Sequence, residues 1–244
     1  MSQNKRRKNN AELVEKPTSL QGLKLQNINP KTQAQQDVFD AFSEGYHLFL
    51  HGVAGTGKTF ISLYLALKTI LTSKEYKKIV IIRSAVPSRD IGFLPGTAKE
   101  KMMMYEMPYQ VICNDLFQRG DAYDILKGKG SIEFVSTSFL RGITLNNCIV
   151  IADEAQNYTF AEADTLISRI GNNCKIIFCG DIDQTDLLKS KNDLTGLPKF
   201  MKIIENMEIF DFIDFQTEDI VRSKLVKEYI IEKKKLGFGS AFEI

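Results

Sequence analysis

The chain has 244 residues, 43% of them hydrophobic and 25% charged, with a formal net charge of +2. That length suits one large α/β domain or two small ones, and the composition is that of an ordinary globular protein. The charge is too small to announce nucleic-acid binding by itself, though it is compatible with a local basic patch, and no apolar run reaches the roughly 18 residues of a membrane span.

In chain order, residues 1–27 are polar and read as a flexible tail, and 28–244 as a single domain. The cluster Lys5, Arg6, Arg7 and Lys8 has no apolar segment behind it, so it is no secretory signal. It reads as a solvated terminus, with a nucleic-acid contact as the alternative. Thr32, after Asn29-Pro30, is a plausible N-cap for a helix over 33–43. A short buried strand over 46–51 follows, then a glycine-rich turn and a helix over 60–71. Continuous apolar runs at 79–82, 148–151 and 175–179 predict strands covered on both faces, with a shorter one at 132–135. The alternation over 208–215 predicts a strand nearer a sheet edge. Helices are expected at 102–117, 159–170, 199–205 and 217–235, and irregular loops at 84–103 and 188–198. Strands alternating with helices predict an α/β fold, a mostly parallel sheet with helices on both faces.

The four cysteines form no CxxC pair and the histidines are His47 and His51, so zinc is not expected. The thiols read as reduced and mostly buried, as in a cytoplasmic protein.

Gly52-Val53-Ala54-Gly55-Thr56-Gly57-Lys58-Thr59 fits G-x-x-x-x-G-K-[ST], the P-loop that cradles nucleotide triphosphates. Glycines let backbone N–H groups approach phosphate oxygens, and the following helix aims its positive end at them. Lys58 reaches the β- and γ-phosphates and the Thr59 hydroxyl ligates Mg2+, with Phe60 opening the helix beside the nucleotide. The apolar strand at 148–151 runs into Asp153-Glu154. Asp153 is expected to hold Mg2+, and Glu154 to orient and activate the attacking water. Past the next strand, Gln184 is the candidate γ-phosphate contact with Asp181 in support, while Asp183 reads as a helix N-cap. Arg222, expected on the C-terminal helix, is the candidate positive charge opposite the γ-phosphate, in cis or on a neighbouring subunit.

Gly52–Thr59, Asp153-Glu154-Ala155-Gln156-Asn157 and Gly180-Asp181-x-x-Gln184, in that order, resemble the PhoH-like P-loop ATPases. So do Ile91-Gly92-Phe93-Leu94-Pro95-Gly96, Arg141-Gly142 and Ile220-Val221-Arg222, and the resemblance spans roughly 29–232. It implies a RecA-like core similar to the first domain of superfamily 1 helicases, ATP hydrolysis with Mg2+, and action on RNA or single-stranded DNA. It also implies that Gln35 reads the adenine edge, and that Arg83, Thr137, Ser138 and Arg141 belong to the nucleic-acid contacts. Many such proteins are small and phage-encoded, which implies a host cytoplasm. The sequence departs from the family pattern at Ser84 (usually Pro), Ile143 (often Arg), Ser223 (His) and Lys224 (Pro). These departures leave the ATP residues intact and bear on the nucleic-acid contacts.

Two functions follow. One is a nucleic-acid-dependent, helicase-like motor, which as a single core needs a partner or a homo-oligomer, a hexameric ring with Arg222 in trans. The other is a slow ATP-switched binding protein that recruits a protein partner. A phosphotransferase is the weaker reading, without an arginine-rich lid after the third strand, and a GTPase lacks its Asn-Lys-x-Asp base reader. The 84–103 loop, with Arg89, Lys99 and Lys101, is either a moving, pore-facing element or a surface loop packed by Phe93 and Leu94.

Overall fold

The computed structural model describes residues 22–84, 98–181 and 196–236. The basic cluster of the tail, Arg89, the 91–96 run, Asp183, Gln184 and the side chains of Lys99 and Lys101 lie outside the described residues.

Six parallel strands form one sheet: β1 (His47–Gly52), β2 (Lys78–Arg83), β3 (Ile132–Ser136), β4 (Cys148–Asp153), β5 (Cys174–Cys179) and β6 (Phe210–Phe215). Their order is β3-β2-β4-β5-β1-β6. Each apolar run became a strand because both of its faces are covered. Leu48, Leu50, Ile79, Ile81, Ile149, Ile151 and Ile177 pack on one side, against α1 (Gln33–Glu44), α2 (Lys58–Thr72), α3 (Ala98–Phe117) and α4 (Ala122–Gly128). Phe49, Val80, Ile82, Val150, Ala152, Ile176 and Phe178 pack on the other, against α5 (Phe160–Arg169) and α6 (Gly196–Ile204). Fully burying each of the Leu, Ile, Val and Phe side chains is worth about 1.5–3 kcal/mol. The strand that feeds the glycine loop, β1, and the strand that ends in Asp153, β4, are separated by one strand, β5. This is the α/β, RecA-like core that the sequence implied. The alternating strand β6 lies at an edge, as its pattern predicted.

Local signals explain several boundaries. Thr32 caps α1 by accepting from the Gln35 N–H, and Thr159 and Glu162 close a full capping box on α5. All four cysteines are free thiols, three of them buried.

Some expectations need correction. The segment expected as one helix over 217–235 is a 3-10 turn at Thr217–Asp219, an extended connection, and then α7 (Lys224–Lys235) capped by Ser223. The break has a tertiary cause: the Val221 N–H is donated to the carbonyl of Gly55 at 3.1 Å instead of continuing a helix. Arg222 therefore sits in the connection and not on the helix. The loop expected over 84–103 gives way to α3 at Ala98, and the loop over 188–198 to α6 at Gly196. Pro198 is tolerated there because the first turn of a helix has no intrahelical use for its N–H. The short helix α4 was not anticipated.

Candidate nucleotide site

The P-loop leaves the sheet where β1 lies beside β6. Gly52 has φ +111°, and a Cβ there would come within 2.1 Å of the Phe215 carbonyl oxygen, so only glycine fits. The Val53 N–H donates to that same carbonyl at 2.9 Å. Gly55 and Gly57 also take positive φ. Gly57 is the N-cap of α2 and offers no side-chain cap, which suits first-turn amides that serve phosphates instead. The buried Thr56 hydroxyl braces the turn by donating to the Val53 carbonyl at 3.0 Å, and Ala54 and Phe60 are part-buried beside it.

Lys58 is almost fully buried and folds back on its own loop. Its Nζ donates to the Gly52 and Val53 carbonyls at 2.8 Å each and lies over the Phe215 ring. Burial lowers its pKa, against the opposing charges of Asp181, Cys179, Glu154 and Asp153.

Asp153, at the end of β4, is buried and has a donor on each carboxylate oxygen. Thr59 Oγ1 donates to Oδ1 and the Tyr109 hydroxyl to Oδ2, both at 2.8 Å. Burial raises its pKa, the neighbouring Glu154 adds to that, and the hydrogen bonds from Thr59 and Tyr109 and the Arg83 charge oppose it. The Thr59–Asp153 pair fits a magnesium ion, which takes one or two protein oxygens and completes its shell with phosphate and water. Among the described residues no cluster of three or more His, Cys, Asp or Glu is gathered as a dedicated metal cage.

Glu154 sits in the left-handed region at φ 52°, ψ 44°, a conformation that costs a non-glycine residue about 1–3 kcal/mol. This strain turns the chain off the strand beside Asp153. The Glu154 carboxylate accepts from Gln156 Nε2 at 2.5 Å, and Gln156 Oε1 accepts the Asp181 N–H at 3.0 Å. Gln156 thus ties Glu154 to the exit of β5.

Gln35 meets the loop with both ends of its amide engaged. Oε1 accepts the Lys31 N–H at 2.8 Å and Nε2 donates to the Thr56 carbonyl at 2.9 Å. Arg222 packs on its own P-loop, with Cγ 2.9 Å from where a Gly55 Cβ would be.

The residues grouped as nucleic-acid contacts separate. Arg83 is paired in register with Asp153, and its guanidinium lies over the Tyr105 ring at 5.4 Å. Burial works against its charge, but Tyr109, Glu154 and Asp153 outweigh it and its pKa is raised. Arg83 thus belongs spatially to the nucleotide site. Thr137 is buried, and its hydroxyl is given to Glu162 and not to the surface. The same carboxylate accepts the Ser84 hydroxyl at 3.0 Å and the Thr159 N–H at 2.9 Å. Ser138 and Arg141 are exposed, and so is Phe139, at 65%. Sequence reasoning gave no role to Tyr109, Gln156, Glu162 or Phe139. Only Gln156 and Phe139 stood inside motifs where a signal was visible.

A lysine-bearing glycine loop, a hydroxyl–carboxylate pair and a second carboxylate make this a P-loop nucleoside triphosphate site. The family model described as PhoH-like protein matches residues 27–232. The chain is 34% identical over 208 residues to the PhoH-like protein of Bacillus subtilis, covering 85% of this chain and 64% of that one. It is 34% identical over 200 residues to Protein PhoH of Escherichia coli, covering 81% and 56%. The PhoH-like protein of Mycobacterium leprae is 32% identical over 220 residues, covering 88% and 62%. The chain therefore spans under two thirds of the length of these relatives. Among solved structures, the large terminase of a thermophilic bacteriophage superposes with a TM-score of 0.48 at 14% identity, over 82% of this chain and 50% of that one. The Pif1 helicase from Candida albicans gives 0.42 at 15%, over 86% and 44%.

Proposed function

We propose that this chain, which belongs to the PhoH-like protein family, binds ATP with Mg2+ and hydrolyses it in a way that answers to RNA or single-stranded DNA. The observation that carries this reading is the convergence of Lys58 and Thr59, at the start of α2 after β1, with Asp153 and Glu154 at the end of β4, two strands apart in the sheet. Lys58 exchanges its two carbonyl partners for β- and γ-phosphate oxygens. Thr59 and Asp153 hold the metal, and Mg2+ when bound supplies charge neutralisation along the phosphates. Glu154 takes the proton of the attacking water, held for that by Gln156. Arg222 in cis, Arg83 and Gln184 are the groups assigned to the γ-phosphate. Gln35 is assigned to the adenine edge.

The nucleic-acid side of the reading is supported by exposed Ser138, Phe139 and Arg141 at the same end of the sheet as the nucleotide loop. A single core offers one ATP face, so translocation along a strand calls for further copies, a ring of six being the expected assembly. Host cytoplasm is the expected setting of a phage-encoded member; among the described residues no helix is long and apolar enough to cross a membrane.

The test is the steady-state ATPase rate with and without single-stranded RNA and DNA, with Glu154→Gln as control. Stimulation that the variant loses supports a motor. Glu154-dependent hydrolysis that ignores nucleic acid replaces the motor with the ATP-switched binding protein.

A further inference from the structure

The groups of the nucleotide site come from the loop-bearing ends of the strands and the first turns of α1 and α2, whereas one comes from the middle of a helix. Tyr109 lies in the middle of α3, 1% exposed, and its hydroxyl donates to Asp153 Oδ2 at 2.8 Å. One turn earlier on the same face, the Tyr105 ring lies against the Arg83 guanidinium. A carboxylate on a short side chain rotates freely about its last bond unless both oxygens are held. Thr59 holds Oδ1, but its hydroxyl is also the oxygen assigned to the metal. Tyr109 holds Oδ2 from outside the loop and is not itself a ligand.

We propose that Tyr109 is a positioning residue for the metal-holding carboxylate: its hydroxyl fixes the plane of Asp153, so that Oδ1 faces the magnesium position whether or not nucleotide is bound. This assignment rests on the ATP reading above. It ties α3 to the metal site through two side chains one turn apart, Tyr109 on Asp153 and Tyr105 on Arg83. Metal-site partners of this outer kind typically set affinity by about 10–100-fold.

The test uses Tyr109→Phe in the full chain, with Tyr158→Phe as comparison. Tyr158 is equally buried, but its hydroxyl donates to the Ile82 carbonyl at 2.7 Å and not to the carboxylate. Binding of a fluorescent, non-hydrolysable ATP analogue is measured in EDTA and across a Mg2+ titration, after each variant has been melted. In EDTA, Tyr109→Phe is expected to bind the analogue as the wild type does. Its Mg2+ midpoint is expected to rise about tenfold, and hydrolysis to recover at saturating Mg2+. Tyr109→His, which restores a donor, is expected to regain part of the shift, and it serves as the test variant if Tyr109→Phe does not fold. A midpoint within twofold of wild type, or an equal shift in Tyr158→Phe, overturns the assignment. A wild type that binds the analogue without regard to Mg2+ overturns the ATP–magnesium reading, and this assignment with it.

Discussion

Arg222 lies across Gly55 of its own P-loop, close enough that a methyl group on Gly55 would meet Arg222 Cγ at 2.9 Å and Nε at 3.6 Å. The neighbouring Val221 N–H fixes this contact by donating to the Gly55 carbonyl. The arginine thus rests on the P-loop of its own chain, carried there by the connection between β6 and α7. Arg222→Ala is expected to lower kcat by about 10³ while weakening ATP binding far less. Mixing it with Lys58→Ala should not restore activity. Recovery in the mixture would place the arginine in a neighbour's site.

Asp153 bears the cost of a buried charge faced by Glu154, Arg83, Lys58, Cys179 and the hydroxyls of Thr59, Tyr109 and Tyr158. Its pKa is raised from the ordinary 3.8, so the folded state holds a proton that the unfolded state has lost. The stability that proton confers is complete below the unfolded value and disappears as pH rises through the folded one. Asp153→Asn removes the cost, so its melting temperature should match wild type in acid and exceed it near neutrality. Each kcal/mol is worth about 2–4 °C in a chain of this size. Mg2+-dependent hydrolysis should vanish in the same variant. Melting curves across pH, without nucleotide, check the sign.

Glu162 gathers hydroxyls from Ser84 and Thr137 and the backbone of Thr159, joining the ends of β2 and β3 to the start of α5. Glu162→Gln turns one acceptor oxygen into a donor against these donors. A loss of about 1–3 kcal/mol in stability is expected. Stimulation by nucleic acid should fall more than basal hydrolysis, because the turn bearing Ser138 and Phe139 loses its anchor. Equal loss of both rates would count against this coupling.

Phe139→Ala should leave the melting temperature unchanged, since the ring is largely in solvent. Stacking on a base is worth about 1–3 kcal/mol, so affinity for short RNA or single-stranded DNA should drop about tenfold with an unchanged salt slope. Arg141→Ala should instead flatten that slope by about 0.7, the share of one phosphate. Fluorescence anisotropy at several salt concentrations separates the two.

Gly52→Ala would drive a methyl group into the Phe215 carbonyl, where backbone and not a flexible side chain is in the way. A destabilisation of about 2–4 kcal/mol is expected, read by urea titration as a lower midpoint at unchanged slope.

The sheet was legible because each strand is either a continuous apolar run or, at β6, an alternation, and both follow from how many faces are covered. The P-loop, Asp153 and Glu154 were legible because their chemistry demands fixed residue types at fixed spacing. What was hidden depends on contacts distant in sequence. The helical spacing of 217–235 gave no sign that Gly55 would claim the Val221 N–H. Tyr109 reads as an ordinary core residue of α3 until the partner of its hydroxyl is seen. Thr137 reads as a surface hydroxyl until Glu162 of α5 is found behind it.

Lys58 rests on the Gly52 and Val53 carbonyls, acceptors belonging to the loop it serves. The loop thereby carries an internal competitor for its own cation. On the proposed ATP reading, phosphate oxygens gain Lys58 only in exchange for these carbonyls. The affinity such a loop offers is then a difference between two sets of bonds and not the sum of one.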